Sequence, residues 1–157
     1  MTGHRLSLAG FAIVATFGSA ASGFPDGGGP GSPPLALRLE APAQVPPGQV
    51  VQLTLKLKNT SAVRVEQPLG GRPPHDVVVT RRDGTEVWRW SKGRVVQDVL
   101  ELKALRPGEE LVFDAEWNQR DADGRPVPPG SYLVKGILRT DPPEALETKP
   151  RPLVIGR

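Results

Sequence analysis

Residues 49–59 read QVVQLTLKLKN, and within them Val51, Leu53, Leu55 and Leu57 alternate with Gln52, Thr54, Lys56 and Lys58. A period of two places the four apolar side chains on one face of an extended chain, whereas on a helix they would be scattered around the axis. The segment is therefore a strand with one face in a core and one in water, as in an antiparallel sheet. A strand of this kind needs partners to be stable, so the rest of the chain must supply them.

Several other segments qualify. HDVVVTRRDGTEVWRWS (75–91) sets two runs of β-branched and aromatic residues on either side of Asp83-Gly84, which signals a tight hairpin. In EELVFDAEW (109–117), Leu111, Phe113, Ala115 and Trp117 alternate with Glu110, Asp114 and Glu116. SYLVKGIL (131–138) follows the turn Pro128-Pro129-Gly130. LALRLEAP (35–42) reads as a first, edge strand, VRVEQ (63–67) as a short one and Leu153–Ile155 as a last one. VVQDVLELKAL (95–105) fits strand or helix; the alternation of Leu100, Leu102 and Ala104 before Pro107-Gly108 favours strand. The 18 prolines argue against long helices and for short strands joined by turns. The expected fold is all-β, an immunoglobulin-like antiparallel β-sandwich of seven to nine short strands.

The N-terminus is of another kind. Arg5, the apolar run LSLAGFAIVATFG (6–18) and Ser19-Ala20-Ala21 form a signal peptide over residues 1–21, cleaved after Ala20 or Ala21. The apolar run is shorter than the ~20 residues that span a bilayer, so no membrane span is expected after cleavage. The expected destination is the periplasm, the cell envelope or the exterior. Residues 22–34, SGFPDGGGPGSPP, have too little apolar surface to offset ordering and are expected to form a disordered linker. Residues 35–157 remain as the folded domain. The chain has no cysteine, which removes disulfides, thiol nucleophiles and thiolate metal sites. Its formal charge of +3 is spread among interleaved acids and bases, which is not the footprint of a nucleic-acid binder.

No residue pattern supports catalysis, a metal or a cofactor. His75 is the only histidine beyond the signal segment, and neither a nucleophile elbow nor metal-ligand spacing accompanies its Asp76 neighbour. Asp121, Asp123 and Gly124 lack the third acid and closing Glu of a calcium loop and read as a solvent-facing turn. Gly27–Gly31 has no strand before it and no helix after it. Asn59-Thr60-Ser61 matches a glycosylation acceptor, but a strand-ending turn explains it better. Trp88 and Trp90, two apart on one strand, are expected to plug the core with Trp117 and Tyr132, because Trp, Tyr and Phe total only eight. The remaining role is that of a monomeric, non-enzymatic domain that binds another protein through its loops. Two loops qualify: 118–130 with Arg120 and Arg125, and 68–75 with Arg72. Their prolines lower the entropy lost on binding.

In chain order, several landmarks resemble the bacterial intracellular proteinase inhibitor (BsuPI) family. They are LTLKLKN ending at Asn59, Gly70-Gly71 ahead of His75-Asp76, Asp83-Gly84 with Val87-Trp88-Arg89-Trp90-Ser91, and Gln97. Leu105-Arg106-Pro107-Gly108-Glu109, Trp117 and Pro129-Gly130-Ser131-Tyr132 complete the set, which spans about residues 50–139. The chain departs from the family at Val77 and at Val95 or Val96, where an aromatic is usual. The segment from Trp117-Asn118 through Asp123-Gly124 to Tyr132 is also similar, more locally, to hook-capping-type immunoglobulin-like domains. The first resemblance implies a β-sandwich that inhibits a subtilisin-like serine protease. The second implies a structural or adhesive module of an exported or envelope assembly.

Overall fold

The computed structural model describes residues 33–70, 73–95, 100–140 and 145–156, so the signal segment and nearly all of the linker lie outside the described residues. Chain order gives β1 (Leu35–Glu40), β2 (Gln44–Val45), β3 (Val51–Asn59), β4 (Val65–Leu69), β5 (His75–Arg81) and β6 (Glu86–Arg89). Then follow β7 (Glu101–Leu105), β8 (Glu110–Trp117), β9 (Gly130–Arg139), β10 (Ala145–Glu147) and β11 (Arg151–Ile155). The sequence reading lacks β2 and β10, which at two and three residues are too short to show a periodicity.

Two sheets face one another. One has the order β1-β3-β8; the other runs β2-β11-β9-β5-β6, with β10 on the flank of β9. Pairing is antiparallel throughout except for β2 beside β11. The alternating residues behave as their period demands: Val51, Leu53, Leu55 and Leu57 are buried, as are Ala115 and Trp117 opposite them. Val77, Val79, Tyr132, Val134, Leu153 and Ile155 close the core from the second sheet. Gly136 lies directly against the facing sheet; a Cβ there would overlap Leu55 Cδ1.

The β3–β8 ladder ends at Lys58 opposite Glu110 and resumes, past a corner, as β4–β7 at Val65 opposite Leu105. Asn59 makes that corner. It is fully buried, and its Nδ2 donates to Val63 O at 2.7 Å and Leu105 O at 2.9 Å. Its Oδ1 accepts from Ser61 N at 2.9 Å and Ser61 Oγ at 2.7 Å. The amide is thus used entirely inside the chain, as a strand-ending turn requires and a glycan attachment does not allow. The β4–β7 arm covers a second apolar cluster made of Leu35, Leu57, Leu69, Leu105 and Leu138. One detail differs from the sequence reading. Residues 101–105 are a strand, but Leu100, Leu102 and Ala104 line its outer face, and the buried residue is Leu105.

Candidate protein-binding site

Loop 118–130 leaves β8 directly after Trp117, which is fully buried and donates its Nε1–H to Arg120 O at 2.8 Å. Gln119 takes a left-handed backbone, φ 57°, unusual for a residue with a Cβ. Its side chain explains the position. Nε2 donates to Pro46 O and Gln49 O, both at 2.8 Å, while Oε1 accepts from Gly48 N at 2.8 Å. The buried Gln119 amide therefore ties the exposed 46–49 turn to the base of the loop, and its own polar atoms are fully used in doing so.

The tip is closed by Asp121. Its Oδ1 accepts from the amides of Asp123 and Arg125 at 2.9 Å each, and Asp121 N donates to Arg125 O at 2.8 Å. The Arg125 amide first, then the Asp123 amide and the Arg125 and Arg81 charges, hold the Asp121 carboxyl below the usual carboxylate range. Gly124 supplies the φ of +79° that the turn needs. Ala122 N donates to Val87 O at 3.1 Å, which seats the tip against β6, and Val127 N donates to Gln119 O at 2.9 Å. At the far end, Tyr132 Oη donates to Pro128 O at 2.5 Å. The pair Asp121–Asp123 thus closes a turn.

The two arginines of this loop differ. Arg120 Nη1 donates to Gly124 O at 2.8 Å and so belongs to the loop's own framework. Arg125 stands at the tip with its side chain 77% exposed, its nearest acid being Asp123 at 3.7 Å. Between the tip and β6 lies a shallow cleft of about 230 Å³ lined by Trp88, Arg89, Lys92, Arg120 and Asp121, among others. Arg72, the third candidate, lies outside the described residues. The ends of its loop are pinned by Arg139, whose Nη1 donates to Pro73 O and whose amide donates to Pro74 O.

His75 and Asp76 are neighbours in sequence but, one residue apart on β5, project to opposite faces. Asp76 is fully buried, and its carboxylate accepts from Val77 N, Ser91 N, Ser91 Oγ at 2.7 Å and Arg89 Nη1 at 2.9 Å. Glu86 grips Arg89 from the other side and, with Asp76, raises the guanidinium pKa further. The landmark Asp76…Arg89-Trp90-Ser91 is therefore an internal staple of the β5–β6 hairpin. His75 faces inward between Trp90 and Phe113, with ring centroids 4.4 and 4.6 Å away, and neither ring nitrogen has a hydrogen-bond partner. It starts the strand, but its nitrogens are not at the surface.

The aromatic landmarks divide. Trp117 and Tyr132 are buried and meet edge to face at 5.8 Å. Trp88 and Trp90 share the inward face, as their spacing requires, but are only half-buried along the flank between β6 and β8. β6 is an edge strand, and among the described residues no further strand covers its side of the sandwich.

A family model described as "BsuPI: Intracellular proteinase inhibitor" matches residues 37–143, more than half of the 157. The chain belongs to the BsuPI family. A search of curated proteins finds no match to it. Among solved structures it is similar to Spo0M, the sporulation control protein of Bacillus subtilis, at 15% identity and a TM-score of 0.47, covering 80% of this chain and 51% of that one. It is also similar to the alkylpurine DNA glycosylase AlkC of Pseudomonas fluorescens bound to DNA containing an abasic site analog, at 14% identity and TM-score 0.44, covering 79% and 31%. A β-glucosidase mutant of Listeria innocua in complex with laminaribiose follows at 16% identity and TM-score 0.41, covering 78% and 16%. The chain thus spans half or less of two of these proteins and about half of Spo0M, and at these scores the likenesses bear on neither mechanism nor partner. Two BsuPI landmarks, Asn59 and Asp76, are buried polar staples and not contact residues.

Proposed function

We propose that this BsuPI chain is an exported inhibitor of a subtilisin-like serine protease and that loop 118–130 occupies the protease cleft with Arg125 at its tip. The family supplies the class of partner. The supporting observation is preorganisation: Gln119, Asp121 and Ala122 hold the loop by bonds already made in the free protein. A loop held this way loses little conformational freedom on binding, which is where affinity is otherwise spent. Arg125 is the long side chain that this framework leaves in water. Export rests on Arg5, the apolar run 6–18 and Ser19-Ala20-Ala21.

Titration of the purified protein into a panel of subtilisin-like proteases, with trypsin-like enzymes as controls, tests this reading. Stoichiometric loss of activity is expected in at least one case, and Arg125→Glu should weaken that inhibition at least about tenfold, or 1.4 kcal/mol. A panel that stays fully active under a molar excess of the protein removes the proposal. For export, the protein recovered outside the cytoplasm should begin at Ala21 or Ser22; an intact Met1 terminus would refute cleavage.

A further inference from the structure

The β4–β7 arm is a two-stranded ribbon, and such ribbons are marginal in water unless further strands or packing support them. Its inner face is supported by the second apolar cluster. Its outer face is not: Leu100 and Leu102 are 66% and 59% exposed, with Ala104 exposed beside them. Among the described residues β7 pairs with β4 alone, so its other edge carries unpaired backbone groups, an open template for one more strand.

We infer that this edge pairs with the same edge of a second copy, β7 against β7, in an antiparallel register centred on Leu102. The order of residues selects both the occupant and the register. An antiparallel two-fold pairing through Leu102 sets Glu101 opposite Lys103 of the second copy, and Lys103 opposite its Glu101. It also sets Leu100 opposite Ala104 on the outer face, so that the two exposed stripes become one. Centring on Lys103 instead would face two ammonium groups across the axis. Within one chain Glu101 and Lys103 already pair with each other, so self-association exchanges partners without stranding a charge. The product is a four-stranded sheet, β4-β7-β7-β4, which removes both open β7 edges.

β8 shows why the pairing falls on β7. It too is an edge strand. Its outward residues are Glu110, Val112, Asp114 and Glu116, so a two-fold antiparallel register that joins two such faces sets acids against acids. That edge is guarded against self-pairing; β7 is self-complementary. The dimer departs from the monomer expected from composition and loops, and it leaves loop 118–130, at the other end of β8, unobstructed.

Sedimentation velocity on the protein purified from cells expressing the full chain tests the inference. A concentration-dependent dimer is expected in the micromolar range. Leu102→Glu, at an exposed position that folding does not need, should abolish it. Glu101→Lys and Lys103→Glu, each alone, oppose like charges twice and should weaken the dimer about tenfold or more. The double variant E101K/K103E restores complementarity and should return the affinity to within about threefold of the parent. Circular dichroism melts shared by all variants confirm that each is folded. A protein monomeric up to about 1 mM, a dimer indifferent to Leu102→Glu, or a double variant no better than either single one overturns the pairing.

Discussion

At the C-terminal end of β8, loop 118–130 is held by side-chain oxygens: that of Gln119 accepts from Gly48 N in the upstream turn, and that of Asp121 from two amides of the loop's own tip. At the N-terminal end, beyond the corner at Asn59, β7 leaves two leucines in water and one strand edge unpaired. Both regions are suited to a partner, for different reasons. The loop offers rigidity, so its affinity would come from a low ordering cost and from one exposed cation. The arm offers unfinished secondary structure, so its affinity would come from apolar area and ladder bonds. Position along β8 thus separates the two proposed modes of recognition, which composition alone would not distinguish.

The sharpest way to break the loop end is Trp117→Ala. The side chain is fully buried, touches Tyr132 and anchors Arg120 O, so equilibrium unfolding should show a loss of about 3–5 kcal/mol. Trp88→Ala should cost clearly less, because that ring is half-exposed on the flank. Equal losses for the two variants would erase the distinction between core and flank.

Next in size is the corner. Asn59→Ala leaves Leu105 O without its buried donor and should cost about 1–3 kcal/mol. The accompanying signature is local: amide exchange should accelerate across β4 and β7 more than in loop 118–130. Gln119→Gly is the counterpart at the other end. It relieves the positive φ but deletes the bonds to Pro46 and Gln49, for a net loss of about 1–2 kcal/mol. Its exchange signature should lie at residues 46–49 and leave the arm untouched.

Acid provides a milder probe, directed at the flank between the two ends. Burial between Trp90 and Phe113 lowers the His75 pKa from 6.5; Arg94 and Arg139 act in the same direction and Asp76 opposes them. The unfolded chain therefore binds the proton more readily than the folded one. The contribution of the neutral ring is complete above the unfolded value and is lost as pH falls below about 6.5. Denaturation midpoints measured from pH 8 to pH 5 should decline in the parent and decline less in His75→Phe. A parent curve that rises toward pH 5 would contradict the buried neutral imidazole.

The smallest effects belong to the surface. Arg125→Glu and Leu102→Ser should each change stability by less than about 0.5 kcal/mol, since neither side chain is part of a buried network. Whatever these variants do to inhibition or to association then reads recognition directly.

Much of the fold is legible in the sequence because a half-buried strand declares itself locally. The alternations at 51–57 and 111–117 and the Asp83-Gly84 turn each need only neighbouring residues to be interpreted, and β3, β8 and the β5–β6 hairpin lie where those patterns put them. The turn at Asp121–Arg125 is equally local. What depends on distant residues is decided only by the tertiary structure. Alternation at Leu100, Leu102 and Ala104 is the same in sequence whether that face is inside or out; the packing of Leu105 into the second apolar cluster leaves it outward. Nothing near Gln119 announces that its amide will close a turn 70 residues upstream, because the carbonyls it needs are supplied by another strand's end. His75 and Asp76 look like a pair until the pleat sends them to opposite faces. Local periodicity determines which residues form strands, while burial, register and long-range hydrogen bonds determine which of their faces remain available to a partner.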